Sequence, residues 1–245
     1  MIHTTSYIHP NARIGSNVKI GPFCTIHENV VIGDNSIIDG YCELGITNHL
    51  CDDSPLIIGN NSHIRSHSIL YSSTTIGSNC TTGHRVTIRE KTVIGESVQI
   101  GTLSDIQGHC QIGNYVKTHS NVHIGQKSKI HDYVWLFPYV VLTNDPHPPS
   151  ELLQGVEIQQ FAVIATMSVI LPNVVIGKDS FIGAHSLVTK DVPEGMFCTG
   201  NPAKIITEAS KIKLKDGTRR SAYPWRKHFH RGYPQEVINE WIKDK

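Results

Sequence analysis

An all-β solenoid is the fold class that this sequence predicts, on three observations. Large aliphatic residues recur every six positions, small residues follow them four positions later, and a period of six fits neither an amphipathic helix nor a simple alternating strand. Short extended segments joined by corners do fit it. Three such segments close a triangular turn of 18 residues, and stacked turns bury the aliphatic side chains in a narrow axial core.

The first run, with "IGSNVK", "IGPFCT", "IHENVV" and "IGDNSI", takes its anchors from Ile8 to Leu44. A second run starts at Ile58 and steps by six through Ile64, Leu70 and Ile76 to Leu142, and a third goes from Ile158 to Val188. The small positions include Cys24, Val30, Cys42, Ser68, Cys80, Cys110, Ser128, Ala162 and Ser186, which are expected near the corners, where room is short. Four of the six cysteines fall in this register and read as small buried hydrophobes; Cys51 and Cys198 lie outside it. No paired cysteine spacing suggests a disulfide framework or a zinc knuckle. Thr82 and Thr118 replace the aliphatic anchor two turns apart on one face, and each is expected to bond backbone locally.

Two insertions interrupt the register, Gly45 to Ile57 and a loop from Leu142 to Gly155, "LTNDPHPPSELLQG". Projecting loops on a rigid scaffold are where a site can be built. Beyond Ile206 the composition changes: "KDG" predicts a hairpin turn, and "PQEVINEWIKDK" predicts a short helix that begins after Pro and presents Val237, Ile238 and Trp241. The expected organisation is therefore a solenoid over residues 1–206 and a C-terminal extension over 207–245. The run from Arg219 to Arg231 reads either as a phosphate or nucleic-acid patch or as a tail whose aromatics pack on the solenoid while its Lys and Arg face water; the second reading is preferred.

With 22 basic against 21 acidic residues, nothing global points to nucleic acid or an anionic membrane. The N-terminal stretch lacks the pattern of a signal peptide, and no run approaches the ~20 apolar residues that span a bilayer, so a soluble cytoplasmic protein is expected.

The "[I/L/V]-G-x-x-[small]-x" repeat resembles that of the hexapeptide-repeat acyltransferases, over roughly residues 8–206. The resemblance implies a left-handed parallel β-helix of hexapeptide repeats, with the projecting loop and a C-terminal extension containing a short helix. The hand comes from the family alone, because parallel crossovers are otherwise overwhelmingly right-handed. "TKDVPEGMFCTGNPAKII" resembles the closing segment of acetyl-coenzyme A dependent members, and implies that Lys190, Gly200, Asn201, Pro202 and Lys204 hold the coenzyme. "LTNDPHPP" resembles an element of nucleotide-linked amino-sugar N-acyltransferases, which act on surface-glycan precursors. The family usually forms trimers with sites between subunits, so a homotrimer is expected.

The leading expectation is thus an acetyl-CoA-dependent N-acyltransferase acting on the amine of a nucleotide-linked amino sugar. His119 is a candidate to accept the proton or orient the amine, and Asn144 to bind the amine or the sugar; both stand as catalytic candidates. Asp145 and His147 are presented by the same proline-fixed loop as substrate-binding candidates. Arg85 and Arg89 are candidates for a pyrophosphate, or else surface charge. A hydroxyl acceptor would demand a true general base during attack, a His held by an acid, for which Asp145 with His147 is the local pair. Two other readings stay open, an O-acyltransferase and a non-catalytic or carbonic-anhydrase-like solenoid. His119 and His123, four apart, would suggest a metal pair in a helix but not in an extended segment with a corner, and no metal is expected.

Overall fold

Each corner is set by one residue in the left-handed region three places after the anchor, with φ between 55° and 65° at Asn17, Asn29, Asn35, Arg85, Asn121 and Tyr133 among others. Asn tolerates that conformation best among non-glycine residues, and its frequency at this position follows. Between corners the backbone forms strands of mostly two residues. The amide before each anchor typically donates to the small residue of the next coil (Tyr7 to Cys24, 2.9 Å), and the amide after it to the next anchor (His9 to Ile26, 2.9 Å).

The computed structural model describes residues 1–243. The strands stack into three faces of eleven, ten and nine strands, parallel except for the last strand of the first, and the chain visits the faces in turn, as a left-handed parallel β-helix. Face A holds Lys19–Ile20, Thr81–Thr82, Lys117–Thr118 and Trp135–Leu136; face B holds Thr87–Ile88, Asp105–Ile106, His123–Ile124 and Val141–Leu142; face C holds Val93–Ile94 and Lys129–Ile130. The anchors from Ile20 upward are buried along the axis, with Ile26, Leu44, Ile64, Leu70, Ile106 and Leu136 fully so. The small residues are buried beside the corners, and their hydroxyls are satisfied locally, as Ser128 Oγ donates to the Gly125 carbonyl at 2.7 Å.

Both insertions leave the anchors in register, the first with a bulge that sets Tyr71 opposite Ile46. Leu44 pairs with Leu70 and Leu142 with Ile170, although elsewhere on face B partners are 18 residues apart, as Ile106 and Ile124 are. The top coil is closed by an antiparallel hairpin, Met196–Gly200 with Ala203–Glu208. The C-terminal extension then returns over face A: Trp225, Tyr233, Ile238 and Trp241 are buried against Phe161 and Val163, with Tyr115, Tyr133, Trp135 and Phe181 around them. The expected hairpin at "KDG" forms, with Leu214 N donating to Arg220 O at 2.9 Å, and the helix Gln235–Lys243 follows Pro234. The extension packs by its aromatics as expected, but not all its cations face water. Arg226 is buried, its guanidinium forked onto the Asp179 carboxylate at 3.2 and 3.0 Å.

Candidate functional site

Residues one coil apart lie directly above one another, so the register assigns every candidate to a face. His119 follows strand Lys117–Thr118 on face A, in one column with Arg65, Gly83 and Gly101 below and Phe137 above. Its ring stacks on Phe137 at 4.7 Å between centroids, and no side-chain hydrogen bond holds it among the described residues. Burial pulls its pKa down, favouring the neutral imidazole. Thr82 and Thr118 do not bond locally: Thr82 Oγ1 accepts the amide of Arg65 at 2.9 Å and Thr118 Oγ1 that of Gly101 at 3.0 Å, each in the coil below.

Face B carries a connected polar network that sequence reasoning missed. Asp105 Oδ2 lies 3.1 Å from His123 Nδ1, one coil above it, and accepts the Gln107 amide at 2.7 Å. Gln107 Oε1 accepts Arg89 Nη1 at 3.2 Å. Arg89 in turn forks onto Glu90 with two contacts of 3.2 Å, and Asn48 from the first insertion donates to Glu90 at 3.1 Å. Glu90 is fully buried beneath Gly108, where an added Cβ would meet its carboxylate at 2.7 Å. Burial works to raise the Asp105 pKa, but the bonds from His123 and Gln107 outweigh it and hold the carboxyl below its ordinary range. Three other histidines pair with acids, His27 with Glu43, His63 with Asp39 and His131 with Glu157, yet none of those acids takes a further side-chain hydrogen bond. Among the described residues, Asp105 alone of these acids is itself held.

The face B register continues to the loop. Because Ile124 pairs with Leu142, Asn144 stands in one column with Glu90, Gly108 and Gln126, and Lys190 tops the same column two coils higher. The Asn144 carbonyl accepts Gln154 N at 2.8 Å and closes the loop, while its side-chain amide makes no hydrogen bond among the described residues. Asp145 is committed to the loop itself: it accepts the His147 and Ser150 amides at 3.0 and 2.9 Å and the Ser150 hydroxyl at 2.6 Å. These bonds hold its carboxyl below its ordinary pKa, the Ser150 hydroxyl contributing most. The His147 ring is exposed and does not meet the Asp145 carboxylate. The local hydrogen-bonded pair offered by Asp145 and His147 is therefore not formed; the acid is taken up by the His147 and Ser150 amides and the Ser150 hydroxyl.

Other candidates are dispersed. Arg85 is exposed at the corner between faces A and B, whereas Arg89 lies on face B with its fork already filled by Glu90, so the two form no joint clamp. Gly200, Asn201 and Pro202 make the tip of the closing hairpin, and Lys204 pairs with Thr199 on the face A side, away from the Lys190 column. His119 and His123 flank one corner but stand on different faces. The signal for the missed pair was present: Asp105 and His123 are 18 residues apart, one coil, in an uninterrupted run. Among the described residues no three His, Cys, Asp or Glu side chains gather as metal ligands, and no helix is long and apolar enough to cross a membrane.

Residues 1–109 match the family model described as the GMPPB C-terminal domain. A 2,3,4,5-tetrahydropyridine-2,6-dicarboxylate N-acetyltransferase from Staphylococcus aureus is 34% identical over 96 residues, covering 39% of this chain and 34% of that protein. The chain thus spans about a third of the length of the curated relatives it matches. Among solved structures, the Arabidopsis UDP-N-acetylglucosamine acyltransferase superposes with a TM-score of 0.63 at 22% identity, covering 85% of this chain and 74% of that one, which shows a common fold. In its six-residue period and in its fold, the chain resembles the hexapeptide-repeat acyltransferases of the left-handed β-helix.

Proposed function

We propose that this protein is an acyl-CoA-dependent N-acyltransferase, acetyl-CoA being the donor, that acts on the amine of a nucleotide-linked amino sugar in surface-glycan synthesis. The observation that carries the reading is the Asp105–His123 pair, together with the N-acetyltransferase among the relatives. With Nδ1 bonded to the acid, Nε2 has no hydrogen-bond partner among the described residues and is where a substrate amine can meet the half-exposed ring. The amine nitrogen attacks the thioester carbonyl, the C–N bond forms, the C–S bond breaks and coenzyme A leaves as a thiolate. The amine proton passes to His123 Nε2, and Asp105 stabilises the resulting imidazolium. Arg89 and Gln107 position Asp105 rather than touch substrate. Asn144 orients the sugar from above, and Lys190, two coils higher in its column, meets a coenzyme phosphate, with Gly200, Asn201, Pro202 and Lys204 at the rim. Because one flat face cannot enclose a long coenzyme, the working unit is a homotrimer with sites between subunits.

The same pair supports a second reading. A His held by an acid is what a hydroxyl acceptor requires, so an O-acyltransferase with the same base is the alternative. Mass spectrometry after incubation with acetyl-CoA and matched panels of UDP- and dTDP-linked amino and hydroxy sugars separates the two. Acetylation of an amino sugar, lost in His123→Ala, is expected; acetylation of hydroxyls only would favour the second reading, and no product from any acceptor would sink both.

A further inference from the structure

Face A carries a groove of about 470 Å³ whose floor is Gly83 and Gly101, with Arg65 at its lower end and Lys117, His119 and Trp135 at its upper end. Glycine is imposed there by the coil above, since a Cβ at Gly101 would collide with the His119 backbone and one at Gly83 with Thr102. The floor therefore has no side chains standing on it.

At the upper end is a buried cation without an acid. Lys117 is 8% exposed, covered by Tyr233 of the C-terminal extension and by Trp135, with Nζ 4.4 and 4.9 Å from their ring centroids. Among the described residues its ammonium has neither a hydrogen-bond acceptor nor a carboxylate within 4.0 Å. Gly232 makes room for it: a Cβ there would lie 3.2 Å from Nζ. Burial, with Arg231 nearby, lowers the Lys117 pKa, as desolvation of an unpaired ammonium must. Cation–π contact with the two rings returns only part of what burying an unpaired ammonium costs. An anion at that point would satisfy the difference.

The floor supplies the opposite chemistry. Where Thr82 and Thr118 replace the aliphatic anchor, their hydroxyls take the amides of Arg65 and Gly101 that the main-chain carbonyl would otherwise accept, as Ile100 O accepts from Gly83 at 2.6 Å. The carbonyls of Thr82 and Thr118 are left without a hydrogen-bond donor among the described residues. Strand pairing shortens to match, to Thr81 with His63 and Gln99 with Lys117 alone. Thr118 lines the groove with 7% of its surface open, next to the exposed Gln99 among the lining residues, whereas Thr82 is 1% exposed. Free carbonyls repel an anion but accept hydroxyl donors.

We propose that this groove binds a phosphorylated sugar, its phosphate against Lys117 and its hydroxyls over the glycine floor, within reach of Thr118 and Gln99. The site is separate from the face B centre and does not depend on the acyl-transfer reading. The test is calorimetric titration of the full chain at low salt with glucose 1-phosphate, with glucose and inorganic phosphate as separate probes. Glucose 1-phosphate is expected to bind more tightly than either probe, and Lys117→Met to weaken it by about tenfold or more, the scale of one charge-assisted hydrogen bond. Lys117→Met is also expected to keep or raise Tm, since it exchanges an unpaired buried charge for an apolar chain of similar length. Thr118→Val, which restores an ordinary ladder and leaves Lys117 in place, is expected to weaken glucose 1-phosphate but not inorganic phosphate. Equal binding by wild type and Lys117→Met, a lower Tm in Lys117→Met with unchanged binding, inorganic phosphate binding as tightly as the sugar phosphate, or no binding of any probe would each overturn the proposal.

Discussion

His123 Nδ1 and Asp105 Oδ2 stand 3.1 Å apart across one coil step, and the acid is fixed in turn by Gln107. A base placed in this way should be costly to lose. We predict that His123→Ala lowers kcat/KM by ~10²–10⁴-fold, and Asp105→Asn by less, with KM for the acceptor little changed. His119→Ala should matter less than either. Steady-state kinetics with the identified acceptor checks the order, and His119→Ala as the most damaged variant would move the reaction centre to face A.

In the projecting loop, Asn144 offers a free amide while His147 offers only an exposed ring. Asn144→Ala is expected to reduce kcat/KM well beyond the effect of His147→Ala, which should be nearly neutral. Asp145→Ala removes three bonds that brace the loop and should open it to proteolysis between residues 145 and 153. Limited digestion followed by mass mapping reads this out, and an unchanged cleavage pattern would mean that the prolines alone brace the loop.

The Arg226–Asp179 pair is nearly inaccessible to water and is the one buried ion pair linking the extension to the solenoid among the described residues. Removing one partner leaves the other charge buried, at a cost of roughly 3–5 kcal/mol. Arg226→Ala should therefore lower the denaturant midpoint clearly, and Asp179→Ala similarly; the double variant should lose less than the sum. Additive losses would show that the two groups do not act as a pair.

His119 gives a pH signature. Its folded pKa lies below its unfolded value of ~6.5, so the unfolded chain takes up a proton first as pH falls. Stability from this site is full above ~6.5 and declines as pH drops from there toward the lowered folded value. His119→Phe, which keeps the stack on Phe137, should remove that slope. Melting scans between about pH 7.5 and 5.5 are the measure, and parallel curves for wild type and variant would contradict it.

Coenzyme placement is tested by two lysines on different faces. Lys190→Ala should raise the Kd for coenzyme A several-fold at low salt and less at high salt, because an exposed contact is screened. Lys204→Ala should have the smaller effect. The reverse order, by calorimetry, would run the coenzyme along face A.

The period-six anchors made the solenoid readable, because a buried axis demands an aliphatic residue at each step and the corners leave no slack to vary the count. The same rule made Thr82 and Thr118 visible as breaks, though not their consequence, since which oxygen takes the amide is decided by the coil below. The resemblance of the loop drew attention to Asn144, Asp145 and His147 but could not show that Asp145 faces its own backbone. Asp105 with His123 was within reach by counting 18 residues. Asn48 with Glu90 was not, because the first insertion breaks the count, and neither was the burial of Lys117, which depends on a residue, Tyr233, 116 positions away.

Both insertions leave and rejoin the stack at a corner, so that Leu142 meets Ile170 as squarely as Ile124 meets Leu142. Loop length and foldability are in consequence separable: the segment between Thr143 and Val156 can be lengthened, trimmed or exchanged as a cassette, with the axial core neither repaired nor retuned.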